Sequence, residues 1–136
     1  MKELSLEVIT PSKKEFSGMV KSITVPGSAG SFQVLYNHAP IISTFDVGFI
    51  KIINTEGVTF YFATSGGSIE VNDNKALILA ESFEKSVDID IDRAKAARQR
   101  AQDRLHQRDH NLDIKRAEAA LARAVNRIMV FEKYRV

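Results

Sequence analysis

The chain has 136 residues, with 19 basic and 17 acidic side chains, enough hydrophobic residues (44%) for a core, and no cysteine. This length fits one domain or a small domain with an appendage, and the lack of cysteine excludes disulfides and thiolate metal sites. No apolar run approaches the roughly 20 residues that cross a bilayer. Lys2, Glu3 and Glu7 interrupt the first apolar residues, so we expect no signal peptide.

The charge is distributed unevenly along the chain. Residues 1–88 carry 7 basic and 10 acidic side chains, whereas residues 89–136 carry 12 basic and 7 acidic ones, and every arginine lies at or beyond Arg93. This split marks a boundary near residue 88. With the residue patterns given below, we predict a β domain over residues 1–85 and a helical domain over residues 86–136. The basic C-terminal part predicts an acidic partner.

Residues 1–84 have the pattern of short strands. Leu4, Leu6 and Val8 alternate with polar neighbours, and turn residues separate the apolar runs that follow. Two β-hairpins are predicted, with turns at residues 54–57 and 72–74. Gly66 and Gly67 precede a strand rather than a helix, which favours a turn with positive φ over phosphate binding. The spacing predicts an antiparallel β-sandwich, or flattened barrel.

Residues 89–105 and 112–128 repeat one pattern. Each copy begins with an aspartate suited to cap a helix, Asp90 in the first and Asp113 in the second. Apolar residues then recur at helical spacing: Ala94, Ala97, Ala101 and Leu105 in the first copy, and Ala117, Leu121, Ala124, Ile128 and Phe131 in the second. A short polar stretch at residues 106–111 joins the copies, which predicts an antiparallel two-helix hairpin at the C-terminus.

Arginines follow the same repeat. At about 100° per residue, they form two equivalent stripes beside the apolar seams: Arg93, Arg100 and Arg104, and Arg116, Arg123 and Arg127. If the seams pack together, all six guanidinium groups lie on one face of the helical hairpin, suited to phosphate or carboxylate. The alternative is a solvated face with local ion pairs, which is the usual role of charge runs on helices.

The sequence contains little that indicates catalysis. There is no Gly-rich loop ending in Lys-Ser or Lys-Thr, and therefore no P-loop. His106 and His110 stand four residues apart in the predicted interhelical loop without a third metal ligand. His38 is a lone loop histidine without a neighbouring nucleophile. We therefore expect no catalytic residue and no metal site, and predict that the protein is not an enzyme.

Five sequence segments stand in a characteristic order. They are Leu-Glu-Val-Ile-Thr-Pro at 6–11, the stretch from Gly30 to His38-Ala39-Pro40, Ser-Gly-Gly-Ser-Ile-Glu-Val at 65–71, Ile-Leu-Ala-Glu at 78–81, and the alanine- and arginine-rich repeat. Together they resemble the epsilon subunits of bacterial F-type ATP synthases along essentially the whole chain. The resemblance implies the same fold, an N-terminal β-sandwich followed by a helical hairpin.

The resemblance also implies a place in a rotary central stalk on the cytoplasmic side of the bacterial cell membrane. The sandwich would dock on the gamma subunit and the c-ring, with Ser31, Phe32 and His38 at that interface. The mobile helical hairpin would reach the alpha/beta catalytic head and inhibit ATP hydrolysis. Contact with the membrane would occur only through the complex, without nucleic acid and without a required cofactor.

Some members of the family bind ATP as a regulatory ligand, through the pattern Ile or Leu, Asp, any two residues, Arg, Ala. Residues 89–94 match that pattern, and residues 112–117 match it as well. The implied ligand set is Glu84, Ile89, Asp90, Arg93, Ala94, Arg100, Arg123 and Arg127. In this hypothesis the residues at 89–94 hold the base, while arginines from both helices neutralise the triphosphate and clip the hairpin closed.

Two alternatives remain open. In the first, ATP sensing is the main role of the subunit and inhibition is weak. In the second, the chain is a nucleic-acid-binding sandwich with a basic helical arm. The second is disfavoured because the acidic sandwich lacks a basic surface with interleaved aromatic residues.

Overall fold

The computed structural model describes residues 2–107 and 113–134. Over these residues the chain forms nine strands, one 3-10 turn and two α-helices. The strands are β1 (Leu4–Ile9), β2 (Lys14–Val25), β3 (Phe32–Val34), β4 (Ile41–Phe45), β5 (Gly48–Asn54), β6 (Thr59–Thr64), β7 (Gly67–Asn72), β8 (Lys75–Ala80) and β9 (Glu84–Lys85). The 3-10 turn spans Ser86–Asp88, and the helices are α1 (Ile91–His106) and α2 (Ile114–Tyr134).

The strands form a β-sandwich in the order β4-β7-β8-β1-β2-β5-β6-β9, with β3 paired to β2. The predicted sandwich is confirmed, but two details differ from the expectation. β1 and β8 pair in parallel, whereas the other strand pairs are antiparallel. The sheet order also ends at β4 and β9 rather than closing into a barrel.

Strand β2 reaches both layers of the sandwich because it is long and irregular. Its first half pairs with β1, and its second half pairs with β3 and β5. The β2–β5 register shifts between Val20 and Ser22, and such a bulge bends a strand and increases its twist.

The alternation of the strands places their aliphatic residues in one core. Leu4, Leu6 and Val8 of β1 are at most 1% exposed, as their spacing predicts. Ile23, Ile50 and Ile78 join them from β2, β5 and β8. This core is built from large side chains, each of which contributes about 1.5–3 kcal/mol when fully buried.

Both predicted β-hairpins are present. β5 and β6 flank the turn at residues 55–58, and β7 and β8 flank Asp73 and Asn74. Asp73 and Asn74 both adopt positive φ, 51° and 58°, the combination that a type I′ turn requires. Gly66 also has the predicted positive φ, 118°, but residues 65 and 66 connect β6 to β7 without forming a turn.

The repeated sequence forms the two predicted helices. Asp90 accepts a hydrogen bond from Arg93 N, and Asp113 accepts one from Arg116 N, each at 3.1 Å, so both predicted caps are confirmed. Within the seams, Ala94, Ala101, Ala117 and Ala124 are at most 2% exposed. Small side chains allow the helix backbones to approach closely, and the helices pack against each other along these alanines.

The helical hairpin lies against the sandwich. The C-terminal half of α2 packs on β5, β6 and the 3-10 turn, where Val130, Ala63 and Ile89 form a second, smaller apolar cluster. Neither described helix is both long and apolar enough to cross a membrane.

Candidate functional site

A cleft of about 330 Å³ lies where the middle of the helical hairpin faces the sandwich. We call it the arginine cleft. Its walls are Ser65, Ser82 and Glu84 from the sandwich, Ala97, Arg100, Ala101 and Arg104 from α1, and Ala120, Arg123, Ala124 and Arg127 from α2. This volume is at the lower end of the range typical of small-molecule sites.

The arginines converge because each helix carries two of them, spaced four residues apart. Arg100 and Arg104 lie one turn apart on α1, and Arg123 and Arg127 lie one turn apart on α2. The packed alanines between them bring the two helices together. The cleft therefore has a small apolar floor and guanidinium groups on both sides.

Glu84 connects the cleft to the sandwich. It lies on β9 opposite Ala63 of β6. Arg127 Nη2 donates to Glu84 Oε2 at 3.0 Å, and Arg127 Nε lies 2.8 Å from Glu84 Oε1. The Nη2 contact has hydrogen-bond geometry, whereas Nε makes a close ion-pair contact without it. The side chains keep 23% and 35% of their surface exposed, so water screens the pair in part.

Two serines complete the wall on the sandwich side. The hydroxyl oxygens of Ser65 and Ser82 lie 2.7 Å apart, and Ser65 N donates to Ser82 Oγ at 3.0 Å. These bonds join the segment after β6 to the segment before β9. They hold the wall in place next to Glu84.

The remaining arginines of the cleft are available to a ligand. Within residues 2–107 and 113–134, Arg100, Arg104 and Arg123 form no ion pair. Four guanidinium groups face one carboxylate, so the cleft carries excess positive charge. Its lining includes no histidine and no cysteine. The arrangement can hold a polyanion by charge-assisted hydrogen bonds, and it supplies no nucleophile paired with a base.

Two family models match the chain in sequence. The model described as ATP synthase, delta/epsilon chain, beta-sandwich domain matches residues 3–86, and the model for the long alpha-helix domain of the same chain matches residues 88–132. The chain belongs to the family of bacterial ATP synthase epsilon chains. The resemblance seen in the sequence is thereby confirmed.

Individual relatives agree with this membership. The ATP synthase epsilon chain of Pelotomaculum thermopropionicum is 45% identical over 100 residues, which cover 74% of each chain. The epsilon chain of Desulforamulus reducens is 38% identical over 127 residues, which cover 93% of this chain and 96% of that one. In fold, the chain is similar to one in the mitochondrial ATP synthase of Euglena gracilis, with a TM-score of 0.76 at 21% identity, covering 88% of this chain and 76% of that chain.

The structure brings together four of the eight residues predicted to bind ATP. Glu84, Arg100, Arg123 and Arg127 all line the arginine cleft. The first three belong to three different elements, β9, α1 and α2. Only the folding of the helical hairpin onto the sandwich makes them neighbours.

The other four predicted ATP ligands lie at the start of α1 and outside the cleft lining. Ile89 and Ala94 are buried, at 4% and 0% exposure. Asp90 uses its carboxylate to cap the helix, and Arg93 is exposed. Their role towards a base stays a prediction.

Of the six arginines predicted on one face, four line the cleft, while Arg93 and Arg116 do not. Each of these two lies seven residues from the next arginine of its stripe, about 10 Å along the helix axis. Because the helices are antiparallel, this displacement takes them towards opposite ends of the hairpin.

The predicted ATP ligand set omits Arg104, Ser65 and Ser82, which line the cleft. Arg104 belongs to the six-arginine face predicted from periodicity. Ser65 and Ser82 are 17 residues apart and meet through tertiary contact, for which the local sequence has no pattern.

The residues predicted at the gamma and c-ring interface lie around β3. Ser31 Oγ donates to Val25 O at 3.1 Å, Phe32 begins β3, and His38 Nδ1 lies 2.7 Å from Ala39 O. Phe32 packs against the main core, whereas Ser31 is exposed. Their role at an interface stays a prediction.

Of the two histidines predicted in the interhelical loop, the structure describes His106. His106 is the last residue of α1 rather than a loop residue, because its helix extends further than predicted. His106 Nδ1 lies 2.7 Å from Gln102 O one turn earlier. His110 lies outside the described residues. No cluster of potential metal ligands occurs among the residues that the structure describes.

Proposed function

We propose that this chain is the non-catalytic epsilon subunit of the central stalk of a bacterial ATP synthase. In this role its sandwich couples the gamma subunit to the c-ring through the region of Ser31, Phe32 and His38. Its helical hairpin restrains ATP hydrolysis by the alpha/beta head. Membership of the epsilon family and the fold shared with a chain of an ATP synthase structure support the proposal.

The helical hairpin has the physical properties that a mobile regulator needs. Its contacts with the sandwich are made by α2, through residues such as Asn126, Val130 and Tyr134, so it can detach without exposing the main core. Detached, its basic face would meet acidic segments of the catalytic head on the cytoplasmic side of the cell membrane. Association with the membrane would occur only through the complex.

ATP is the regulatory ligand that the arginine cleft fits best. The observation that carries this proposal is the convergence of arginines from both helices beside Glu84 of the sandwich. A triphosphate bound there would join α1 and α2 electrostatically. Because such a ligand binds only the folded hairpin, it would stabilise that state by mass action.

The base would lie towards the start of α1, near Asp90 and Arg93. Ile89 and Ala94 are buried there in the folded hairpin, so contact between the base and these two side chains requires local repacking. The bound ATP would act as a signal rather than as a substrate, because no nucleophile and base are paired in the cleft.

ATP titration of the isolated protein by calorimetry, with magnesium present, tests the ligand. Arg100→Ala and Arg123→Ala should each weaken binding by about 1–3 kcal/mol, the cost typical of a lost charged hydrogen bond. Arg116→Ala is the matched control, since it removes the same charge from an exposed position outside the cleft. If all three variants bind ATP as tightly as the original chain does, ATP does not bind in the arginine cleft.

Deletion of residues 89–136 in the assembled complex tests inhibition. We expect faster ATP hydrolysis with assembly intact, because the sandwich keeps its own core. If the truncated subunit fails to incorporate, the hairpin has a structural role instead. If hydrolysis is unchanged while the isolated subunit binds ATP, the alternative holds, in which the subunit is primarily an ATP sensor with weak inhibition.

A further inference from the structure

Asn126 is a buried polar residue on the side of α2 that faces the sandwich. It is 9% exposed, and its Nδ2 donates to Gly48 O at 2.8 Å and lies 3.5 Å from Thr64 O. It does not line the arginine cleft. A buried amide that is fully bonded can stabilise an arrangement, whereas one left without partners destabilises it.

The two carbonyl groups that Asn126 meets occupy a specific place in the sheet. Gly48 is the first residue of β5, Thr64 is the last residue of β6, and the two are register partners. They therefore mark the end of the β5–β6 ladder. The two N–H groups of an asparagine amide can serve two acceptors, and each backbone carbonyl has two lone pairs. Gly48 and Thr64 are a hydrogen-bonded pair of the ladder, so Asn126 adds a second bond from the helix at this end.

Asn126 belongs to a row of residues spaced one helical turn apart. Val130 packs with Ala63 and Ile89, and the Tyr134 ring stacks on Tyr61 with centroids 4.6 Å apart. We call Asn126, Val130 and Tyr134 the docking face of α2. The apolar contacts of this face are not directional, whereas the amide contacts depend on distance and angle.

We propose that Asn126 is the positioning residue that sets the register and the docked population of α2 on the sandwich, separately from the ligand cleft. In the observed register Asn126 Nδ2 lies within 3.5 Å of both carbonyl oxygens. A shift along the helix would leave the buried amide donors of Asn126 without acceptors, which costs more than one bond contributes. When the hairpin leaves, water bonds all of these groups, so release remains possible.

The next residue, Arg127, shows that the amide contact of Asn126 is separate from the ligand cleft. Arg127 forms the ion pair with Glu84, so one turn of α2 carries two polar attachments to the sandwich. The ion pair is partly exposed and weakens with salt. The amide contact joins neutral groups and is buried, and we expect it to be insensitive to salt.

Two variants separate this proposal from simple packing. Asn126→Leu keeps a side chain of similar size and adds apolar surface, but removes the amide donors to Gly48 O and Thr64 O. Asn126→Asp preserves the shape and replaces the donors by acceptors that face those carbonyls. Val125→Ala is the control, because Val125 is adjacent on α2 and 47% exposed.

The docked population can be measured by energy transfer between two dyes on the full chain. The chain has no cysteine, so cysteines introduced at the exposed positions Glu56 and Glu118 take the label selectively. A urea series gives the ratio of docked to undocked hairpin for each variant. Far-UV circular dichroism checks that sandwich and helices remain folded.

We expect Asn126→Leu to lower the ratio of docked to undocked hairpin about tenfold, and Asn126→Asp to lower it further, while Val125→Ala leaves it nearly unchanged. The differences should persist at high salt. A Leu variant that docks as well as or better than the original chain would overturn the proposal, since packing alone would then explain the site. An Asp variant with unchanged docking would overturn it as well.

Magnesium-ATP titration separates this inference from the proposed function. If ATP binds only the docked hairpin, the Asn126→Leu variant should bind ATP more weakly. Under conditions in which most hairpins are undocked, the apparent affinity should fall by the same factor as the ratio of docked to undocked hairpin. If ATP does not bind the original chain, the ligand part of the proposed function fails. The dye measurement without ATP still decides the role of Asn126.

Discussion

The sandwich and the helical hairpin are held together by different kinds of side chain. The sandwich core consists of large aliphatic residues such as Leu6, Ile50 and Ile78, all at most 1% exposed. The seam between the helices consists mainly of alanines, such as Ala101 and Ala124, with little apolar surface to bury. Since hydrophobic stabilisation is roughly proportional to buried apolar area, we expect the sandwich to be more stable than the pairing of the two helices.

The same contrast appears in the charged groups. The apolar core of the sandwich does not depend on a ligand. The hairpin presents three arginines without an ion pair among the described residues, at a cleft that its own folding creates. A bound anion can therefore alter the hairpin more than the sandwich.

The largest effect should come from the sandwich core. Ile78→Ala should lower the free energy of unfolding by about 2–5 kcal/mol, because it removes a fully buried side chain and leaves a cavity. Leu79→Ala, at a neighbouring position that is 47% exposed, is the control and should cost much less. Thermal or urea unfolding measures both, and similar losses would show that the core is not the main source of stability.

A smaller effect should come from the helical seam. Ala124→Leu should destabilise the packed hairpin by about 1–3 kcal/mol, because the added side chain forces the helices apart. Ala122→Leu lies on the exposed side of the same helix and should be nearly neutral. Hydrogen exchange would show faster exchange in α1 and α2 with protected strands. Faster exchange in the strands as well would contradict the independence of the two regions.

The smallest effect should come from the ion pair between β9 and α2. Glu84→Gln should reduce docking of the hairpin by at most about 1 kcal/mol, because both partners are partly exposed. The loss should shrink at high salt, as the dye measurement described above would show. A larger loss that does not respond to salt would show that Glu84 acts through buried contacts.

Much of the local structure could be predicted from short-range patterns. The alternation of Leu4, Leu6 and Val8 predicts β1, and the repeated aspartate caps predict where α1 and α2 begin. Residues such as Arg100 and Arg123 could be selected because their helical period places them beside the seam. Such features depend on neighbours a few residues away.

Other features arise only where distant segments meet. The parallel pairing of β1 with β8 joins residues about 70 positions apart, and the bonds of Asn126 to Gly48 and Thr64 cross 78 and 62 positions. Asn126 interrupts an apolar helix face. The sequence around it does not show whether its amide is exposed or buried. The sequence of this chain by itself determined the strands, the capped helices and the arginine stripes, because dihedral preferences and hydrophobic period act locally. Only the tertiary structure decided which arginines share a cleft with Glu84 and which residue holds α2 in place, because those choices depend on how the helical hairpin packs on the sandwich.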